Sequence, residues 1–297
     1  MKRALFLGAS AAVLFFPRAT SAQPTLNERI AKIAGKMPGR IGVYARTLDD
    51  SPPFAQFEAV DSFPTASVIK MLVMATAYVL EAQAPGTLDE QLTFSHSSNL
   101  IGGSDFMSEQ ADGATFTVRQ LIVPMIQQSD NTAANMLIGH FGVDEINDVG
   151  GQAGLQNTHL ARKFIDTAAI VRVQNNVTTP ADMGVLLYQI ARGAHEDVGT
   201  ITSAKFCRDM VDVMLGQTDR EKIPGGLPGG TPVANKTGEI TGTRNDVAIV
   251  DPYGNAPFVL SILTKELTDY EAANTAIHQI TRAVYRENLA LSQVLSS

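Results

Sequence analysis

The strand-like segments of this 297-residue chain lie near its two ends, and a long run of helical patterns separates them. Residues 39–48 and 55–60 alternate apolar and polar side chains, as half-buried strands do. Residues 66–216 instead carry apolar side chains at three- and four-residue spacing, which is typical of helices. Three further strand patterns follow a loop rich in proline and glycine at residues 222–232. Strands separated in this way most simply join in one antiparallel sheet, which leaves the middle of the chain to form a helical lobe.

Helical patterns at both ends complete the expected architecture. Residues 25–37 indicate one helix, and another is expected from about residue 268. We therefore predict an α+β fold, an α/β sandwich in which an antiparallel sheet is flanked by terminal helices and joined to an all-helical lobe. The sheet lobe would comprise residues 23–65 and 217–297, and the helical lobe residues 66–216, together forming a single catalytic unit. A cleft is expected at the seam between the two lobes.

Two residues of the helical lobe carry separate expectations. Pro124 lies inside a helical pattern and should kink or divide that helix, because proline lacks a backbone N–H group. Cys207 is the single cysteine of the chain, so an internal disulfide is impossible. Its neighbours have helical periodicity, and we interpret it as a small core residue.

Residues 1–22 are typical of a secretory signal peptide. Lys2 and Arg3 precede an apolar stretch that is too short to span a membrane comfortably, and small residues stand before Gln23, where a signal peptidase would cut. An uncleaved membrane anchor is the alternative interpretation. No other segment of the sequence is expected to span a membrane. The mature protein should therefore be periplasmic or secreted in a bacterium, with no stable membrane anchor.

The charge of the chain argues against nucleic acid as a partner. The formal net charge is −7, and removal of the three basic residues of the signal peptide would bring it to −10. An acidic protein without a basic cluster binds nucleic acids and anionic membranes poorly. The five histidines are scattered without the spacing of metal ligands, so we expect no metal and no cofactor. We expect a monomer that acts on a small molecule.

A serine and a lysine stand three residues apart at the start of a strongly apolar helical segment. Ser67 and Lys70 would share one face of a helix, and the residues that follow, 71–83, are apolar nearly all round. A lysine buried there must be paired or neutral. A surface lysine on the first turn of a core helix is the alternative for this short pattern.

Two further short motifs occur at the expected lobe boundaries. Residues 129–131 (SDN) fall between helical patterns, and residues 236–238 (KTG) fall on a strand pattern. Each alone has an ordinary explanation, since the first could cap a helix and the second could hold an edge-strand lysine. The succession of SxxK, SDN and KTG along one chain is a much more specific signal.

In this succession the chain resembles the superfamily of serine β-lactamases and penicillin-binding proteins, and most closely the class A β-lactamases. Residues 225–238 (GGLPGGTPVANKTG), 242–250 (GTRNDVAIV) and 178–183 (TTPADM) are also similar to class A sequences. The resemblance covers essentially the whole mature chain. It implies a β-lactamase/transpeptidase-like fold and a serine hydrolase that opens a β-lactam, or cleaves a peptidoglycan-like substrate, through an acyl-enzyme on Ser67.

The residue types suit that chemistry. A serine hydroxyl is a weak nucleophile until a base takes its proton. A lysine one turn away can be that base if burial and a nearby cation such as Lys236 lower its pKa. Backbone N–H groups beside Ser67, near a helix N-terminus, could stabilise an oxyanion.

The resemblance also implies a role for each motif residue. The catalytic set would be the nucleophile Ser67, the base Lys70, the proton relay Ser129 and the electrostatic Lys236. Asn131 would hold the side-chain amide of the substrate, while Thr237 and Arg244 would bind its carboxylate. The backbone of Glu239, next to Gly238, would supply the second oxyanion donor. Arg244 has an alternative interpretation as a salt bridge on the strand surface.

The chain departs from class A at the loop that activates the hydrolytic water. Class A enzymes carry a glutamate two residues after an arginine. Here Arg162 aligns with the arginine, but Phe164 stands in the place of the glutamate, and Asp166 is the one carboxylate in the rest of the loop. The aspartate that closes the loop in class A is replaced by Asn176 or Val177. The acylation residues thus match the family, and the deacylation residues do not.

Three interpretations remain open from the sequence. The chain could be a β-lactamase with atypical or slow deacylation, a D,D-peptidase or other serine amidase or esterase, or a protein that binds β-lactams or peptidoglycan with little turnover. Asp166 could be the deacylation base, or it could pair with Arg162 or Lys163 and shape the loop. Lys70 is the alternative base. Phe106 and Glu239 are expected to border the cleft.

Overall fold

The structure is a computed structural model that describes residues 24–166 and 175–295. The expected signal peptide, residues 1–22, lies outside the described residues. Within them the strands are β1 (Arg40–Thr47), β2 (Ala55–Phe57), β3 (Phe63–Pro64), β4 (Gln91–Thr93), β5 (Thr115–Thr117), β6 (Val177–Thr178), β7 (Val233–Ile240), β8 (Thr243–Val250) and β9 (Phe258–Lys265). The helices are α1 (Leu26–Ala34), α2 (Lys70–Gln83), α3 (His96–Asn99), α4 (Asp105–Ser108), α5 (Val118–Gln127), α6 (Asn131–Phe141), α7 (Val143–Gln152), α8 (Pro180–Glu196), α9 (Ala204–Leu215) and α10 (Tyr270–Leu295).

Strands from both ends of the chain form one antiparallel sheet, in the order β2-β1-β9-β8-β7. The register of β1 against β9 runs from Arg40 opposite Lys265 to Thr47 opposite Phe258. Two short antiparallel pairs, β3 with β6 and β4 with β5, lie outside this sheet. The predicted α+β fold, with its terminal strands sharing an antiparallel sheet, is confirmed.

The side chains of β8 alternate between two hydrophobic cores, because successive residues of a strand point to opposite faces. Val247 and Ile249 join a core that includes α2 and the other helices of the helical lobe. Ala248 and Val250 join a second core, which the sheet forms with α1 and α10. The sheet is therefore covered on both faces, with the terminal helices on one side and the helical lobe on the other.

Helix α2 runs through the centre of the helical lobe. Residues 70–79 are all buried, as the apolar sequence predicts. The segment Ala66–Gln83 is long and apolar enough to cross a membrane by length and composition, which the sequence interpretation did not anticipate. It is 67% buried inside the protein, however, and serves as a core helix. Each aliphatic side chain fully buried there contributes roughly 1.5–3 kcal/mol.

Helix α5 is not divided at Pro124, contrary to one of the two outcomes expected for this residue. The helix continues through the proline as far as Gln127. The carbonyl of Pro124 accepts backbone hydrogen bonds from Gln128 and Asp130, each 3.1 Å long. These bonds end the helix and turn the chain towards the SDN motif. Cys207 is fully buried in α9, as expected.

Candidate active site

The nucleophile expected from the sequence lies in a short 3₁₀ turn that leads into α2. Residues 66–69 form this turn, and the backbone N–H of Lys70 donates to the carbonyl of Ser67. Ser67 opens onto a cleft of about 320 Å³. The cleft is lined by Pro64, Thr65, Ala66, Ser67, Asn131, Arg162, Phe164, Ile165, Asn175, Asn176, Glu239 and Ile240. Residues of the sheet lobe and of the helical lobe meet here, as predicted for the seam.

Strand β7 passes close to the backbone of the nucleophile. A Cβ atom added to Gly238 would lie 2.9 Å from the backbone nitrogen of Ser67 and 2.9 Å from the carbonyl oxygen of Thr65. Only glycine permits this approach, because both atoms belong to backbone that cannot give way. The close passage places Glu239, the next residue of the strand, at the cleft.

The SDN motif is fixed by a buried aspartate. Asp130 caps α6, its carboxylate accepting hydrogen bonds from the backbone N–H groups of Ala133 at 2.9 Å and Met107 at 3.0 Å. Ser129 before it has φ of +59°, a conformation that costs energy for a non-glycine residue. Such strain persists where the surroundings determine the conformation, and it is common at functional sites. Here capping by Asp130 fixes the positions of its two neighbours in the chain, Ser129 and Asn131.

Lys70 is fully buried and is held by the SDN motif. Its ammonium donates to the carbonyl of Ser129 at 2.6 Å and to Oδ1 of Asn131 at 2.8 Å, and it also lies 3.3 Å from the hydroxyl of Ser129. Burial, and secondly the charge of Lys236, lower the pKa of Lys70 well below its usual value, although Asp130 opposes the shift. The geometry therefore favours a neutral lysine, which can accept a proton.

Lys236 approaches the same serine from β7. Its ammonium donates to the Ser129 hydroxyl at 3.0 Å and to the carbonyl of Thr237 at 2.7 Å. Burial lowers its pKa to about 7, although the carboxylate of Asp246 opposes the shift. The hydroxyl of Ser129 thus lies between two buried lysines, where it is placed to pass a proton.

Phe164, which stands two residues after Arg162 where class A enzymes are expected to carry glutamate, lies beside Lys70. The centroid of its ring is 4.4 Å from the ammonium nitrogen of Lys70. Asn135 fixes its backbone on both sides, accepting from the N–H of Phe164 at 2.8 Å and donating to its carbonyl at 3.0 Å. Sequence reasoning missed Asn135. It stands four residues after Asn131 on α6, so the two side chains share one face of the helix, and this spacing was the available signal.

Asn176, one of the two residues expected at the position of the loop-closing aspartate of class A enzymes, holds the two ends of the loop together. Its side-chain oxygen accepts from the backbone N–H groups of Ala161 at 2.8 Å and Arg162 at 3.0 Å. Its side-chain nitrogen donates to the carbonyl of Arg162 at 3.1 Å. Three hydrogen bonds of the Asn176 side chain thus tie it to the backbone of residues 161 and 162. Asp166, from the same loop, is partly buried and is not among the described residues that line the cleft.

Two of the residues predicted to contact substrate, at the end of β7 and the start of β8, contact each other. Glu239 and Arg244 stand directly opposite in the strand register, and their side chains form an ion pair. Glu239 also pairs with the ammonium of the fully buried Lys222 at 2.6 Å, and Lys222 pairs in turn with Asp219 at 2.6 Å. Lys222 was missed because its Pro/Gly-rich surroundings show no periodicity.

The structure thus assembles most of the expected site and leaves Phe106 outside it. Phe106 contacts Phe116 at a ring-centroid distance of 6.3 Å and lines a separate groove with Val123 and Pro124. Within residues 24–166 and 175–295, no group of three or more histidine, cysteine, aspartate or glutamate side chains is placed to hold a metal ion.

Comparison with known proteins agrees with this geometry. The profile described as "Beta-lactamase enzyme family" matches residues 25–287. The carbapenem-hydrolyzing β-lactamase KPC of Klebsiella oxytoca is 29% identical, with 83% of each chain covered. The β-lactamase CTX-M-8 of Citrobacter amalonaticus is 31% identical, with 79% of each chain covered.

A solved structure of PBP-A is also similar. It is 26% identical with a TM-score of 0.77, covering 88% of this chain and 95% of PBP-A. A leucine-to-glutamate mutant of PBP-A, solved as an acyl-enzyme complex with penicillin G, has the same similarity. The enzyme class expected from the sequence, a serine hydrolase of β-lactamase type, is confirmed, and the chain belongs to the β-lactamase enzyme family.

Proposed function

We propose that this protein opens β-lactam rings through an acyl-enzyme on Ser67 and releases the product slowly. The observation that carries the proposal is the buried ammonium of Lys70, held by Ser129 and Asn131 one turn after Ser67 in the cleft. A surface lysine needs no such arrangement, whereas a general base with a lowered pKa does.

The acylation step uses the chain's own residues. Lys70 takes the proton of the Ser67 hydroxyl while the oxygen of Ser67 attacks the carbonyl carbon of the lactam. Backbone N–H groups of Ser67 and Glu239 stabilise the oxyanion that forms. The carbon–nitrogen bond then breaks, and Ser129 gives its proton to the leaving nitrogen. Ser129 regains a proton from Lys70, so the lysine returns to its neutral form.

Deacylation requires a base for water, and Phe164 cannot supply one. An aromatic ring accepts no proton, and this ring also fills the space beside Lys70. Lys70 or Asp166 must then activate the water. We therefore expect a burst of product equal to the enzyme concentration, followed by a slower steady rate.

A second candidate is a D,D-peptidase or another serine amidase or esterase of the same superfamily. The aromatic residue beside Lys70 favours it, because slow release of a β-lactam is expected of an enzyme that β-lactams inhibit. The similarity to PBP-A, a protein that forms a penicillin G acyl-enzyme as a leucine-to-glutamate mutant, supports the same candidate. A binding protein with little turnover is disfavoured, since binding alone needs no base.

We further propose that the protein works as an exported monomer without a cofactor. The features of residues 1–22 support cleavage of a signal peptide, and relatives such as those from Klebsiella and Citrobacter are bacterial. The mature enzyme would then be periplasmic or secreted, without a stable membrane anchor. Its partners would be small-molecule β-lactams or peptidoglycan-like substrates, and not nucleic acid.

Mass spectrometry after incubation with penicillin tests the proposal. We expect one adduct per chain on Ser67, no adduct in Ser67→Ala, and an unchanged adduct in the control Ser97→Ala, which alters an exposed serine of α3. Turnover of nitrocefin by the wild type then separates the two candidates: continued hydrolysis supports the β-lactamase, and an adduct without further hydrolysis supports the D,D-peptidase or other amidase or esterase. An adduct that persists in Ser67→Ala would contradict the nucleophile assignment.

A further inference from the structure

The cationic end of the cleft already holds carboxylates of this chain. Glu239 lines the cleft near the tip of β7, and its side chain is 42% exposed. One of its oxygens contacts both the guanidinium of Arg244 and the ammonium of Lys222. The strand register places Glu239 directly opposite Arg244, so this contact follows from the pairing of β7 with β8.

A second carboxylate, that of Asp219, also pairs with Lys222 at this end of the cleft. Asp219 lies 2.6 Å from the ammonium of Lys222. Burial opposes the shift, but the hydrogen bond and the charge of Lys222 lower the pKa of Asp219. Lys222 and Arg244 are therefore paired with these two carboxylates, whereas the nearby Lys236 donates to Ser129 and to the carbonyl of Thr237. A substrate carboxylate that entered would lose the attraction of an unpaired cation and would meet Glu239, a like charge.

We propose that the side chain of Glu239 fills the position where a substrate carboxylate would bind. The protein would therefore prefer acyl donors whose leaving group carries no carboxylate there. The favoured substrates are lactams, amides or esters in which the group attached to the leaving atom is neutral or cationic. This inference rests on the proposed acylation of Ser67, and it adds which substrates reach that serine.

Because Glu239 is exposed, we expect it to discriminate between leaving groups by their charge. Its side chain lies at the rim, so an uncharged leaving group can pass beside it, whereas an anionic one must displace it from two cations. Glu239→Gln keeps the length of the side chain and removes the charge. Glu145→Gln removes the same unit of charge from an exposed position in the first turn of α7 and is the matched control.

Benzylpenicillin and its methyl ester form the test pair, because they differ in the one carboxylate. Acylation of the full chain is followed by mass spectrometry, and the second-order rate constants are compared as a ratio of acid to ester. In the wild type we expect the ester to react at least as fast as the acid. In Glu239→Gln we expect that ratio to rise at least about tenfold, with no change in Glu145→Gln.

The outcomes separate the inference from the proposed function. If neither compound acylates Ser67, the proposed function is wrong and the inference falls with it. If both acylate Ser67, an unchanged ratio in a folded Glu239→Gln variant overturns the inference alone. Should that variant not fold, the wild type still decides, since an acid that reacts more than about tenfold faster than its ester overturns the selection.

Discussion

The ring of Phe164 lies over the ammonium of Lys70, with 4.4 Å between the ring centroid and the nitrogen. The face of an aromatic ring attracts a cation, which favours the charged lysine. Burial, to which the same ring contributes, favours the neutral form, and the pKa of Lys70 is lowered. On the proposed mechanism, one side chain thus helps to keep the acylation base neutral and occupies the place of a deacylation base. These two effects can be separated by mutation.

Replacing Phe164 with glutamate should speed deacylation and slow acylation. Asn135 would hold the backbone in the same place, so the new carboxylate would face Lys70. We expect the steady rate after the burst to rise by about 10²-fold or more, the usual contribution of a general base. The burst itself should slow near pH 7, because a carboxylate raises the pKa of an adjacent lysine. Stopped-flow measurement resolves both phases, and Phe164→Gln is the uncharged control. A glutamate variant that matches the glutamine variant would contradict this interpretation.

Lys70→Arg should acylate as poorly as Lys70→Ala. A guanidinium keeps its charge at every accessible pH, so it cannot accept the proton of Ser67. We expect both variants to slow acylation by roughly 10²- to 10⁴-fold. The same exchange at Lys205, an exposed lysine of α9, should have no effect. Pre-steady-state rates with penicillin provide the measurement, and acylation at a near wild-type rate in Lys70→Arg would place the base elsewhere.

Asp166→Asn decides between the two candidate bases for deacylation, since it keeps the shape of the side chain and removes its basicity. If Asp166 activates the water, the steady rate falls 10²-fold or more while the burst is unchanged. Because Asp166 is not among the described residues that line the cleft, we expect both phases to survive and Lys70 to act as the base. A large fall in the steady rate alone would assign the role to Asp166.

The lowered pKa of Lys236 predicts how stability depends on pH. Its folded-state pKa is about 7, compared with about 10.4 for an unfolded lysine. Between these values the unfolded chain binds more protons, so the free energy of unfolding rises with pH, by up to about 1.4 kcal/mol per pH unit. Between pH 7.5 and about 9.5 the stability of Lys236→Met should rise less steeply than that of the wild type, because only Lys70, whose pKa is also lowered, still contributes. Lys205→Met should keep the wild-type slope. Denaturant unfolding at several pH values checks this, and parallel curves for Lys236→Met and the wild type would disprove it.

Local patterns were enough to predict the main elements of this fold. Three strand patterns were predicted after the loop at residues 222–232, and the structure has β7, β8 and β9 there. The helical spacing over residues 66–216 likewise corresponds to a series of helices that includes α2 and α6. The three motifs were expected to act together, and the structure places the ammonium groups of Lys70 and Lys236 beside the hydroxyl of Ser129. Ser67, one turn before Lys70, lines the cleft.

The contacts that tune the site could not be predicted in this way. The pairing of Lys222 with Glu239 joins a loop without periodicity to a strand end, so tertiary structure alone decides it. The hydrogen bonds between Asn135 and Phe164 likewise span 29 residues. Local rules predicted that Pro124 would kink or divide its helix, but the helix continues through it to Gln127, and several of its side chains lie in the core of the helical lobe.

The pairing of β1 with β9 determines when this enzyme can become active during its synthesis. Arg40 in β1 pairs with Lys265 in β9, so these two strands of the central sheet cannot pair until nearly the whole chain has been made. Lys236 reaches Ser129 from β7, which is also a late segment. Such distant pairings slow folding, since the ends of a long loop must meet first. A product cut short before β9 would therefore contain Ser67 and Lys70 and still lack the complete sheet that places Lys236 beside Ser129.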